Sequence, residues 1–301
     1  MKRIITLLVF CALLSSAGAQ QVQQFSQYRF SGYSFNPAFA GSDDLFNAIA
    51  THRTQWSGIT DAPRTYFLGL HAPNASGNMG FGGNLFTDVA GPTRRTGVQG
   101  TYAYHLQVNA NSKLSFGLSF GMTQFSIDGT QITLRDNNDQ ALQNTMQSEL
   151  KPDAAFGALW YGEKFHVGLS ATQILNNKLE LFQGDGEGRM AIHYFLTGAY
   201  QFDIGESFAV EPFALIKYVS PLEPQVDLSV RAIYGGNLWL GGTYRTNDAA
   251  VVFAGYEIMD YLTLGYSIDF TTSDIRNYSN GTHEIYIGVR FGKERMIETE
   301  P

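Results

Sequence analysis

The side chains best placed to do chemistry in this 301-residue chain are charges of both signs at even spacings within apolar segments. Asp227 and Arg231 stand four apart, Glu211 and Lys217 six apart, and Glu284 and Arg290 six apart, with Arg245 and Asp269 on segments between them. An extended strand sends alternate side chains to opposite faces, so each even spacing puts its two charges on one face. With Lys164, these residues form a single inward set. Two chemistries fit it. One is a lumen lined with compensating ion pairs and water. The other is a selectivity constriction in which Arg231, Arg245 and Arg290 face Asp227, Asp269 and Glu284.

Other reactive residue types do not combine. The six histidines (His52, His71, His105, His166, His193, His283) are dispersed, with no short metal-ligand spacing. His166 and Ser170 share a face but are separated by about 13 Å along a strand, too far for a nucleophile–base hydrogen bond, and read as lumen lining. Asp136-Asn137-Asn138-Asp139 and Gly184-Asp185-Gly186-Glu187-Gly188 resemble calcium loops only loosely. Neither completes the ligand set with a distal Glu, and turn formation explains Asn, Asp and Gly equally well. Asn74-Ala75-Ser76 and Asn280-Gly281-Thr282 are sequons by pattern alone. The sequence therefore predicts no enzyme, no metal and no cofactor.

The elements that position the charges have a period of two. In 261–270, Leu262, Leu264, Tyr266, Ile268 and Phe270 oppose Thr263, Gly265, Ser267 and Asp269; in 113–123, Leu114, Phe116, Leu118, Phe120 and Met122 oppose small and polar residues. Similar segments fall at about 44–54, 64–72, 79–88, 95–108, 113–126, 153–161 and 164–173, then at 189–202, 207–217, 225–234, 237–245, 249–257, 261–270 and 282–292. That is an even count of fourteen, which returns both strand ends to one side, as in outer-membrane barrels. The connections alternate between short turns and mostly longer loops. The longer set is Gln55–Pro63, Val89–Arg94, Ile127–Pro152, Ile174–Gly188, Val219–Pro224, Thr246–Asp248 and Thr271–Gly281. A soluble β-sandwich or a packed secreted barrel also alternates, but here the second face is mostly Gly, Ser, Thr, Gln or charge, so neither has material for a second apolar layer.

Composition and ends agree. Residues 1–19, with Lys2-Arg3, an apolar run from Ile4 to Leu14 and the end Ala17-Gly18-Ala19, read as a secretory signal too short to span a bilayer. Its removal takes away the only cysteine, Cys11, and leaves 18 basic against 27 acidic residues, a formal charge of −9 with no basic patch for nucleic acid. Charged residues at 16 % and aromatics at 14 %, without a transmembrane helix in the sequence, describe an exported strand protein in contact with lipid. The expected fold is all-β: a transmembrane antiparallel up-and-down barrel of about fourteen strands. Residues 20–43 form an N-terminal periplasmic or plug segment, 44–292 the barrel and 293–301 a tail.

The lead-in to the barrel is aperiodic. It contains Ser26-Gln27-Tyr28 and Asn36-Pro37-Ala38-Phe39-Ala40-Gly41, followed by Arg53-Thr54-Gln55-Trp56-Ser57-Gly58 and Ala62-Pro63-Arg64-Thr65. Together with Gly80-Phe81-Gly82-Gly83, these residues resemble the PorP/SprF family of Bacteroidetes outer-membrane proteins, over essentially the whole mature chain. The resemblance implies a non-enzymatic accessory of type IX secretion and gliding motility. Such an accessory would help particular cargo proteins reach or stay at the cell surface, with secretion components and cargo C-terminal domains as partners and the Gram-negative outer membrane as location. Gln27, Tyr28, Asn36, Pro37, Phe39, Gly41, Arg53, Gln55 and Trp56 are the candidate partner or plug contacts; Glu211, Asp227, Arg231, Arg245, Asp269, Glu284 and Arg290 are the candidate lumen lining. Phe25–Gly41, entering from the periplasmic side, either plugs the lumen or binds a periplasmic partner. Arg53–Trp56 is expected at the opposite rim, Arg53 inward and Trp56 in the interfacial aromatic girdle. The alternative reading is a porin or a channel for small or hydrophobic solutes.

Overall fold

The computed structural model describes residues 22–43, 45–132, 145–180, 188–259 and 261–292. The signal sequence, Asp136–Asp139, Asp185–Glu187 and the tail lie outside the described residues. Fourteen antiparallel strands make one closed ring: β1 (Phe46–Thr54), β2 (Arg64–Pro73), β3 (Met79–Ala90), β4 (Thr93–Asn109), β5 (Ser112–Asp128), β6 (Met146–Gly162), β7 (Phe165–Thr172), β8 (His193–Tyr200), β9 (Phe208–Val219), β10 (Gln225–Tyr234), β11 (Leu238–Arg245), β12 (Ala249–Ile258), β13 (Leu262–Thr271) and β14 (Thr282–Phe291). Each pairs with its sequence neighbour, and β1 closes on β14 with Phe46 opposite Phe291 and Arg53 opposite Glu284. Closure leaves no sheet edge, the condition a sheet must meet in hydrocarbon.

The two-residue period becomes an inside and an outside. In β14, Thr282, Glu284 and Tyr286 are buried while Ile285 and Ile287 are 49 % and 40 % exposed. Leu228, Val230, Leu240, Val252 and Phe270 are likewise exposed, so the outer wall is an apolar belt suited to lipid.

The structure differs from the sequence reading in three connections. β6 starts at Met146, seven residues before the expected boundary, because its first turns extend the hairpin with β5 as far as Met146 opposite Asp128. Pro152 is tolerated inside it because β6 meets β7 only from Phe156 onward, which leaves a side where an absent N–H breaks no ladder bond. The expected loop between β3 and β4 shrinks to Gly91-Pro92, with Gly91 at φ 54°. Before β8, Gly188-Arg189 pairs with Lys178-Leu179 inside the loop, and the strand itself begins at His193.

Residues 22–43 run inside the barrel. Near the long-loop end, the Val22 N–H donates to Nε2 of His193, the first residue of β8 (3.4 Å). At the short-turn end the Gly41 N–H donates to His71 Nδ1 (3.3 Å), just before β1. The segment thus crosses the lumen lengthwise, so Val22 and Gly292 stand at opposite ends although the strands number fourteen. Short turns face the periplasm in outer-membrane barrels. An epitope placed directly before Val22 is therefore expected to be antibody-accessible on intact cells, and one placed after Gly292 only once the membrane is permeabilised. Detection of both, or neither, on intact cells would contradict this threading.

Candidate functional site

The candidate site is the interface between the lumen wall and the segment it encloses, and its centre is Ser26. The Ser26 hydroxyl donates to the Asp269 carboxylate, with Oδ1 at 2.8 Å and Oδ2 at 2.7 Å, and accepts from Arg53 Nη1 at 2.8 Å and Arg245 Nη2 at 3.2 Å. The main-chain N–H groups of Ser26 and Gln27 donate to the two oxygens of Glu284 at 2.7 and 2.9 Å. Arg53 also donates to Asp269 (2.8 Å) and Glu284 (3.2 Å), and Arg245 to Asp227 and Asp269 (both 3.0 Å). All five charged groups are at most 3 % exposed. Two guanidinium groups thus lie among three carboxylates, and hydrogen bonds from the segment's own backbone take up part of the remaining negative charge.

A second ionic contact lies closer to the short turns. Arg29 donates to Glu211 (2.9 Å), whose other oxygen is 2.6 Å from Arg231. The Arg231 guanidinium stacks over the Phe30 ring at 4.8 Å, and Phe30 packs on Trp239 at 4.7 Å. Around it run Tyr28 against Phe213, Phe25 against Phe67 and Phe35 against Phe195, with centroids 5.1 to 5.7 Å apart. The inner faces therefore hold two apolar clusters, completed by the segment's aromatics. The expectation that the lumen has no material for a packed core is overturned, because the enclosed segment supplies it.

The Asn36–Gly41 motif works through its backbone. Asn36 caps the short 3₁₀ turn Pro37–Phe39, its Oδ1 accepting from the Ala38 N–H (2.9 Å), and Pro37 presets the first turn position. The Asn36 Nδ2 donates to the Ala158 carbonyl (3.2 Å), and inward hydroxyls collect the carbonyls the turn leaves over: Ser115 donates to Ala38 and Ser170 to Phe35, both at 2.8 Å. His105 Nε2 donates to the Ala40 carbonyl (3.0 Å). Gly41 has φ 69°, and a Cβ on Gly80 would overlap the Ala40 carbonyl, so both positions require glycine. Phe39 lies edge-on to His166 at 5.5 Å.

The predicted residues divide accordingly. Gln27, Tyr28, Asn36, Pro37, Phe39, Gly41 and Arg53 all lie at this interface, with Gln27 packed over Gly265 and the Tyr28 hydroxyl 2.8 Å from that of Ser229. Gln55 and Trp56 do not. They sit in the loop after β1, where the Gln55 N–H donates to the Pro63 carbonyl and the Trp56 N–H, at φ 51°, to Thr282 Oγ1. Glu211, Asp227, Arg231, Arg245, Asp269 and Glu284 face inward and are buried. Arg290 is a correction to the constriction: it is half-exposed at the short-turn end and pairs with Glu257. Lys164 is another correction, because it lies in the β6–β7 turn and pairs with Asp203 (2.6 Å). The expected separation of Phe25–Gly41 from Arg53 is also overturned, since Ser26 and Arg53 touch. Ser26, Arg29 and Phe30 escaped the site prediction, and their signal was present: a hydroxyl, a cation and a ring in an aperiodic stretch ahead of strands whose inner faces carry acids and glycines. Among the described residues no three His, Cys, Asp or Glu side chains come together as a metal site.

Removing one partner from a buried ion pair leaves the other desolvated and uncompensated. Arg53→Met is therefore expected to destabilise the barrel by about 3–5 kcal/mol, read as a lower temperature for the heat-dependent gel-mobility shift. Arg53→Met with Glu284→Gln should lose less than the sum of the two single losses; a double loss equal to that sum would show that the two groups are not coupled.

Among solved structures, the chain is similar to the CymD monoaromatic hydrocarbon channel, at 12 % identity over 88 % of this chain and 94 % of that one, with a TM-score of 0.51. The Ralstonia pickettii toluene transporter TbuX (10 % identity, 85 % and 91 % covered, TM-score 0.49) and the Acinetobacter baumannii outer membrane protein Omp33 (11 %, 84 % and 100 %, TM-score 0.46) are more distant in shape. Identities this low speak to the fold alone. No curated protein matches the chain. Residues 17–289 match the family described as Type IX secretion system membrane protein PorP/SprF. The chain belongs to that family, and its place is the outer membrane.

Proposed function

We propose that this protein is a non-enzymatic accessory of type IX secretion, a self-plugged barrel that helps a particular class of cargo reach or remain at the cell surface. Its partners in this reading are secretion components and cargo C-terminal domains, and it needs no cofactor. The observation that carries the reading is the filled lumen: residues 22–43 occupy it from the long-loop end to the short-turn end, with both main-chain and side-chain groups bonded to the wall. A barrel closed in this way serves as a fixed platform with one face on each side of the membrane. Deleting the gene should leave one cargo class in the periplasm or release it to the medium. Normal surface display of every type IX cargo in the deletion strain would overturn the proposal.

A channel for small or hydrophobic solutes is the second reading, and the likeness in fold to CymD, a monoaromatic hydrocarbon channel, is what favours it. Conductance separates the two. In planar bilayers the full-length protein is expected to stay closed, and deletion of residues 22–41 to open a steady conductance. Steady conductance or solute flux through the full-length barrel would favour the channel.

A further inference from the structure

The outer wall has one depression where the strand pairing itself lapses. β8 pairs with β9 down to Ala199 opposite Phe213, and pairing resumes only at Phe202 opposite Val210. The gap falls at Pro212, which has no N–H to give. One step toward the loops, the outward positions opposite each other are Gly198 and Ala214, the two smallest side chains that could stand there. Their lateral neighbours are Val167 on β7 and Leu228 on β10; Leu196 and Ile216 stand above and Tyr200 and Pro212 below. The result is a shallow, open dent of about 780 Å³, with Trp160 and Phe165 on its short-turn side.

Its walls are continuous with the lipid-facing belt: Trp160, Val167, Tyr200 and Leu228 are each 45 to 57 % exposed. An apolar dent in hydrocarbon loses dispersion contacts along its whole lining unless a flexible apolar chain fills it. The rim adds charges of both signs, Lys164 with Asp203 and Glu163. Lys164, half-exposed in the β6–β7 turn directly before Phe165, lies at the depth where aromatic girdles meet headgroups. Its ammonium donates to the Asp203 carboxylate, which holds Lys164 above the ordinary lysine range, so it remains a cation.

We infer that this dent binds a zwitterionic phospholipid of the periplasmic leaflet, with one acyl chain over Gly198 and Ala214, the phosphate at Lys164 and the headgroup ammonium at Asp203. The site is separate from the plugged lumen and does not depend on the role in secretion. The test uses the full-length barrel exchanged extensively into detergent and examined by native mass spectrometry. Wild type is expected to keep a phospholipid-bound species. Gly198→Leu with Ala214→Leu should lower the retained fraction about tenfold, equivalent to roughly two methylenes no longer buried. Lys164→Glu should lower it several-fold and leave the dent intact. An unchanged gel-mobility shift on heating shows that a variant barrel is still closed, and if the double variant fails this check, Ala214→Leu and Lys164→Glu carry the test. Complete loss of lipid from wild type, equal retention in the filled and unfilled barrels, or loss of a co-purifying protein in place of lipid would each overturn the inference.

Discussion

The fold depends on the contact of Arg53 with Ser26, Asp269 and Glu284. Arg53 and Glu284 are directly opposite across the seam where the last strand meets the first, so the ion pair forms only if the ring closes in this register. Ser26 brings in the enclosed segment, and Arg245 extends the network to β11 and Asp227. Buried ion pairs are weak sources of net stability, because desolvation cancels most of their attraction. What they provide is selection. A one-residue slip of β14 against β1 would send Glu284 toward lipid and leave Arg53 inside without its partner, a far larger penalty than the pair is worth when formed.

The same contact answers a problem of size. Eight strands close on an interior that their own side chains can fill, and fourteen leave a wider one. This chain fills it with its own lead-in segment, and the inner faces are shaped for that segment's backbone as well as for its side chains. Serine hydroxyls meet carbonyls, His71 and His105 meet an N–H and a carbonyl, and Gly80 lies where the main chain comes closest. Inner positions that look too small and polar for a core are one half of a core whose other half is Phe25, Tyr28, Phe30 and Phe35.

That division decides what was legible in the sequence. The strands were legible because lipid on one side imposes a strict period of two, and Leu262 to Phe270 or Ile285 to Phe291 cannot satisfy it in any other register. The inward orientation of Asp227, Arg231, Arg245, Asp269 and Glu284 followed from the same period. Their partners did not, because pairing across a lumen depends on tilt and stagger, which the period leaves open. Arg290 and Lys164 were misplaced for a related reason: they keep inward phase at strand ends, where phase no longer means burial. The path of residues 22–43 has no periodic signal at all. A short aperiodic segment is held by tertiary contacts alone, and Ser26 became readable only once Asp269 and Glu284 were known to flank Arg53.

A lumen filled by covalent continuation of β1 also constrains how the molecule can work. The segment is tied at one end to the first strand through Gly41 and Leu45, and its middle is tied to β9, β10, β11, β13 and β14 through Arg29, Tyr28 and Ser26. Withdrawing it toward the loops would break the ionic network and also draw Asn36–Gly41 away from Ser115, His105 and Ala158. Those contacts are spread over opposite walls, so they cannot be given up one at a time along a simple path. Partial release near Val22 disturbs less, because among the described residues the hydrogen bonds that hold Val22 to Gln24 are made with His193, Gln225, Lys217 and Arg95. The hold on the segment is therefore strongest at the Asn36–Gly41 turn and in the Ser26 network, and weakest at the end beside the loops.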